Sequence, residues 1–200
     1  MSTSETAPPA ATPPIWRGLP ALITAGCWFA LIWLHPRAIF LQRTSAVLPL
    51  VPVTGAAMLW CVAELRASLR HSRDFFDEIC LALAAVPGLT LLAAFGVRSL
   101  GLESPQFLLT ADWGMLLVFP GIMLAGTTIV RHQRLPRWNR LPALIGLSLP
   151  GGMFALQSGW QKTAMVTAML PAAGWLVIGG ATRAKSAKRA AAKFASKRQG

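Results

Sequence analysis

The segment Arg131–Arg140 reads Arg-His-Gln-Arg-Leu-Pro-Arg-Trp-Asn-Arg, four arginines and no acid between the apolar runs Trp113–Val130 and Leu141–Leu156. A guanidinium stays charged at any ordinary pH and resists transfer into hydrocarbon, so this segment must remain in water while its flanks leave it. The pattern predicts two membrane spans joined by a loop held on one side. Short Lys/Arg-rich loops of this kind stay in the cytoplasm. With that side assigned, alternation along the chain orients every other segment.

The rest of the chain has the composition such a hairpin needs. Of its 200 residues 54% are hydrophobic and 13% charged, whereas soluble domains carry about a quarter charged. Uncharged runs predict spans at 18–34, 45–63, 79–97, 113–130, 141–156 and 163–180. Six spans of roughly 20 residues occupy about 120 residues and leave no room for a separate soluble domain. The expected fold is an all-α bundle of six transmembrane helices with Pro/Gly-kinked spans. It is flanked by an N-terminal tail, residues 1–17, and a basic tail, residues 181–200. Met1–Pro14 is Ser, Thr, Ala and Pro with one glutamate, too polar to bury a core, and is expected to be disordered.

Local signals set the boundaries. His35-Pro36-Arg37 closes the first span, and the second continues as a polar helix through Glu64, Arg66 and Arg70. Ser72 or Asp74 caps the third, whose first turn holds Asp77 and Glu78 where the helix N-terminus is positive. Ser104-Pro105 followed by Phe107, Leu108 and Leu109 predicts a short surface helix, with Asp112 then capping the fourth span.

Charge placement gives the orientation. One side receives Arg17, Arg66, Arg70, Arg73, the four loop arginines and seven basic residues of the tail; the other receives Arg37, Arg43, Arg98 and Lys162. Both termini are therefore expected in the cytoplasm of a bacterial cell, the protein lying in the inner membrane. Tryptophans support the same two boundaries, with Trp16, Trp60, Trp138 and Trp175 near the inner one and Trp33, Trp113 and Trp160 near the outer. Trp28 alone falls mid-span.

Several chemistries lack their machinery. Cys27, Cys61 and Cys80 contain no Cys-x-x-Cys pair and read as small buried hydrophobes. His35, His71 and His132 lie at boundaries, so no facing pair suits haem ligation. No nucleophile elbow, zinc-protease motif or phosphate-binding glycine loop occurs, and no metal or cofactor is expected. No ionisable residue falls deep in a span, which argues against an ion pathway. Thr54, Thr90, Thr127, Thr128, Ser148 and Thr167 are expected to bond back to their own helix or to a neighbour.

What remains is a repeated Pro-Gly. Pro87-Gly88, Pro120-Gly121 and Pro150-Gly151-Gly152 lie about 8, 10 and 9 residues from the cytoplasmic edge of their spans, roughly 12–15 Å deep at 1.5 Å per residue. Each proline frees a backbone carbonyl, so the layer reads either as kinked, close packing or as a ligand-lined level like those of transporters. Pro52 and Pro171 are placed at similar depths. Ala164, Ala168 and Ala172, and Gly121 with Ala125, form small-residue stripes suited to close helix contacts in the bundle or in an oligomer.

The tail contributes Arg183, Lys185, Lys188, Arg189, Lys193, Lys197 and Arg198. As a helix it would lie on anionic headgroups of the inner leaflet with Phe194 inserted, and no interleaved aromatics support a nucleic-acid partner. The leading expectation is a non-catalytic scaffold, accessory subunit or lipid-contacting component, bound to the bilayer and to a membrane-protein partner or its own copies. The alternative is a small carrier for an uncharged or lipid-like substrate that uses the Pro-Gly layer. A third class, an enzyme acting on lipids, would depend on an edge residue among His71, Asp74, Glu103, Asp112 and His132.

Overall fold

A backbone surrounded by apolar side chains must satisfy its own N–H and C=O groups, and a helix does so within one segment. The computed structural model describes residues 18–40, 49–69, 74–100, 105–132 and 140–197, and side chains within these except at 35–40, 98, 105–112, 156, 181 and 184–197. Among the described residues seven helices follow one another: α1 (Leu19–Phe40), α2 (Leu50–Ser68), α3 (Phe75–Ser99), α4 (Pro105–Arg131), α5 (Leu141–Gly146), α6 (Leu149–Gln157) and α7 (Gln161–Lys197). No strand occurs among the described residues. Among the described residues four stretches are long and apolar enough to cross a membrane: Leu50–Ser68, Phe75–Val97, Trp113–Arg131 and Gln161–Gly180. Leu19–Leu34 and Leu141–Ala155 are apolar but shorter.

The helix boundaries differ from expectation in four places. Helix α1 runs through His35-Pro36-Arg37 to Phe40, because a proline removes one ladder bond without forbidding the turns beyond it. Helix α4 begins at Pro105 and continues unbroken, so the expected surface helix and fourth span are one element and Asp112 lies inside it. Pro105 suits a first helical position, and nothing between it and Asp112 breaks a helix. Pro52 sits in the first turn of α2 rather than deep in a span, where its missing N–H has no helical partner to lose.

The fourth difference is a break. The stretch expected as one span, 141–156, folds as α5 and α6 with a turn at Leu147–Ser148. Pro150 has no N–H for the Gly146 carbonyl, so the α ladder stops there. Ser148 closes the turn, donating from N and Oγ to the Ile145 carbonyl at 3.0 and 2.7 Å. The ladder restarts where Gly152 donates to the Ser148 carbonyl at 3.0 Å. Helix α6 ends in a Schellman-type cap, with Gly159 at φ +76° and Trp160 N–H bonded to the Ala155 carbonyl at 2.8 Å.

Consecutive helices pack side by side from α1 to α5. Helix α7 closes the arrangement, touching α1, α2, α4, α5 and α6. The core between them holds Trp28, Leu31, Met58, Leu65, Leu81, Leu91, Ile122, Ile129, Trp175 and Ile178, all essentially inaccessible. Outward faces are apolar as well: Phe29, Trp60, Leu83, Trp113, Phe154 and Val166 are exposed. No more than half of any of the four long apolar stretches is buried. The hydroxyls behave as expected. Thr54, Thr90, Thr127, Thr128, Ser148 and Thr167 each donate to a carbonyl three or four residues back.

Candidate functional site

The strongest polar arrangement begins with how α3 starts. Asp74 and Asp77 cap that helix reciprocally: Asp77 N–H donates to Asp74 Oδ1 at 2.9 Å, and Asp74 N–H to Asp77 Oδ2 at 3.2 Å. This is the capping-box logic with two aspartates. Helix α4, antiparallel to α3, ends alongside it. Arg131 forks onto Asp74 at 3.2 and 2.7 Å and reaches Asp77 Oδ1 at 3.3 Å. His132 Nε2 lies 2.8 Å from Asp77 Oδ2, within hydrogen-bond distance. Phe76 lies under the guanidinium, 4.8 Å from its carbon.

Burial divides the cluster. Asp77 is 1% exposed, whereas the Asp74 and Arg131 side chains are about half exposed. The hydrogen bond from Arg131, then that from the Asp77 amide, lowers the Asp74 carboxyl to a pKa of about 2. Each of the four carboxylate oxygens accepts at least one hydrogen bond. The arrangement is chemically a clamp between two helix ends.

Two further contacts lie at the same end of the bundle. Arg66 Nε meets Glu78 Oε2 at 3.0 Å, tying α2 to α3. Gly18 N–H donates to Glu64 Oε2 at 3.0 Å, tying the start of α1 to α2. The Arg183 side chain lies against Gly18, whose φ of +81° and tight surroundings exclude a side chain. Thus Glu64, Arg66, Asp74, Asp77, Glu78, Arg131 and Arg183, assigned from sequence to one side, do gather at one end.

Two of the three Pro-Gly positions are closely packed against neighbouring helices. Gly55 and Gly88 meet backbone to backbone: a Cβ on either would stand 2.7 or 2.8 Å from the other's carbonyl oxygen. The Pro87 ring fills the space beside Gly121, where a Cβ would meet it at 2.9 Å. These two dipeptides come together across α3 and α4. At the third, Pro150 is exposed, Gly151 has nothing within 4 Å of a Cβ and Gly152 packs against Thr167 of α7. Among the tail residues, Lys185, Lys188, Arg189, Lys193 and Lys197 fall in the last part of α7, where side chains are not described. Arg198 lies outside the described residues.

Of the edge residues proposed for an enzyme, Asp74 and His132 join the clamp, while His71 and Glu103 lie outside the described residues, as does the Asp112 side chain. Among the described residues no group of three or more His, Cys, Asp or Glu side chains is arranged to hold a metal. Sequence reasoning gave Asp77 a first-turn role and Asp74 a capping or enzymatic one, and missed their partners. The available signal was depth, since Asp74, Asp77, Arg131 and His132 all border spans on one expected side. Comparison with protein families, curated proteins and solved structures gives no match.

Proposed function

We propose that this chain is a six-span protein of a bacterial inner membrane, with both termini cytoplasmic, acting without catalysis as a scaffold or accessory subunit. Support for membrane embedding comes from four helices long enough to cross and apolar on their outward faces. The orientation rests on the positive-inside rule applied to the charged end. The bacterial assignment rests on an Ala- and Arg-rich sequence without tyrosine.

The observation that carries the scaffold reading is the fate of its polar and flexible positions. Gly88 and Gly121 are taken up by helix contacts, and the edge carboxylates are taken up by the clamp. The basic tail then offers anionic headgroups or an acidic partner a landing point. One feature favours the carrier alternative, the discontinuity between α5 and α6, since interrupted helices are how carriers build sites.

Native mass spectrometry of protein extracted gently from its own membrane tests the choice, alongside reporter fusions at both termini. A stoichiometric partner protein and cytoplasmic termini are expected. A discrete small molecule lost on Gly151→Leu would replace the scaffold reading with the carrier.

A further inference from the structure

The prolines inside the bundle sit in two kinds of surroundings. Pro87 in α3 lies between the buried Ala84 and Leu91, and Pro120 in α4 between the buried Val118 and Ile122, so these two helices are packed on both sides of their prolines. Neighbours hold such a kink at one angle. Around Pro150 and Pro171 burial stops on one side. Pro142, Ile145 and Gly146 of α5 are buried, but beyond the turn at Leu147–Ser148 only Ala155 is buried among the described side chains of α6. In α7 Pro171, Gly174, Trp175 and Ile178 are buried, whereas every residue from Gln161 to Leu170 is half-buried or exposed.

The two changes occur at one level. Helices α6 and α7 are joined by the short turn Ser158–Trp160 and run antiparallel, with Gly152 against Thr167. Four residues from that contact lie Ser148 on one helix and Pro171 on the other, so helices of equal rise bring both interruptions side by side. Pro150 cannot donate to the Gly146 carbonyl, nor Pro171 to that of Thr167. One bond spans the joint from the bundle: Trp28 Nε1 donates to the Ala168 carbonyl at 2.9 Å. Trp28 itself is 1% exposed, and its helix is anchored on the bundle side, where Ala21 packs on Gly179.

We propose that α6 and the outer part of α7, residues 149–170, form one rigid arm that pivots on these two joints, with the Trp28–Ala168 hydrogen bond as its latch. Residue 157 stands nine positions beyond Ser148, so a pivot of about 20°, the scale of a proline kink, carries it about 5 Å. The Ala168 carbonyl, three positions from Pro171, moves about 1.5 Å, enough to part it from the indole. The arm is a two-position element that a bound partner or ligand can bias. This goes beyond the scaffold reading and holds equally for a carrier.

The test measures distances by pulsed electron paramagnetic resonance in purified full-length protein whose Cys27, Cys61 and Cys80 are replaced by alanine. Spin labels go on Gln157→Cys and Trp113→Cys, both at exposed positions. A second pair, Trp60→Cys with Trp113→Cys, lies wholly on the bundle side, and its single narrow distance establishes that the bundle is intact. The arm pair should give two distances about 5 Å apart. Trp28→Phe should raise the ratio of the displaced position to the latched one about fivefold, the value of one hydrogen bond. Trp175→Phe, an equal truncation of a buried indole beyond the joint, should leave the ratio unchanged. Pro150→Ala supplies the missing N–H at an exposed position and should collapse the two distances into one. An arm pair as narrow as the bundle pair in both wild type and Trp28→Phe overturns the proposal. So do two distances that neither Trp28→Phe nor Pro150→Ala alters, because the motion would then lie outside the joints.

Discussion

Replacing Gly88 with alanine should be destabilising, and replacing Gly151 should not. A Cβ at position 88 would lie 2.8 Å from the Gly55 oxygen and 3.0 Å from Leu59 Cγ, so α2 and α3 must separate by about 0.6 Å to reach the 3.4 Å of ordinary contact. The Gly55 oxygen is backbone and cannot rotate aside as the Leu59 side chain can, which makes the strain an overpacking cost of about 1–3 kcal/mol, offset by less than about 1 kcal/mol of helix propensity. Gly55→Ala should behave alike. The double variant should cost less than the sum, because the first substitution has already parted the helices. Gly151 has nothing within 4 Å of a Cβ, so alanine there should be neutral or stabilising by up to about 1 kcal/mol. Unfolding in detergent, followed by helicity at several protein concentrations, measures all four. Equal stability of Gly88→Ala and Gly151→Ala would refute the close-contact argument and reopen the Pro-Gly layer as a common site.

Other expectations follow from the clamp and the two core indoles. Asp77→Asn leaves Arg131 and His132 without a buried anion and should cost about 1–3 kcal/mol, with a double-mutant cycle against His132→Gln showing coupling. Because the folded state holds the Asp74 pKa near 2, its contribution is present above the ordinary value near 4 and disappears as pH falls toward 2. Acid titration should therefore weaken wild-type protein over that window, and Asp74→Asn should flatten the response. Trp28 Nε1 donates to the Ala168 carbonyl at 2.9 Å, whereas Trp175 Nε1 is buried without a partner among the described residues. Trp28→Phe should then destabilise more than Trp175→Phe by about 1 kcal/mol, measured by the same unfolding assay.

How much of this was legible before the structure depends on the range of the interaction. Helix existence follows from apolar runs, and the hydroxyl back-bonds follow from three- and four-residue spacing, so both were readable locally. The break in the fifth span was half readable: Pro150 marked it, but its consequence depended on whether α6 would restart as a separate element. Trp28 looked misplaced at mid-span because its partner, the Ala168 carbonyl, lies 140 positions away. It lies next to the Pro171 disturbance in α7, since Pro171 cannot donate to Thr167 and a donor from α1 supplies a bond one residue on. The partners of Asp77 were hidden for the same reason. A single sequence records depth along each helix and not which helix stands beside it.

The two kinds of contact in this fold divide the labour along its axis. Where α2, α3 and α4 cross between their ends, Gly55–Gly88 and Pro87–Gly121 bring the helices close enough for dispersion to hold them. At the charged end, where helices finish and water is available, the same three are tied by Arg66–Glu78 and by Asp74 and Asp77 with Arg131 and His132. Each device would fail in the other's place. An ion pair at mid-depth carries a desolvation cost that its attraction rarely returns. A glycine contact at a fraying end orders little. A groove between Gly55–Gly88 and Arg66–Glu78 lies between these two regimes, with apolar walls and the ion pair at one end.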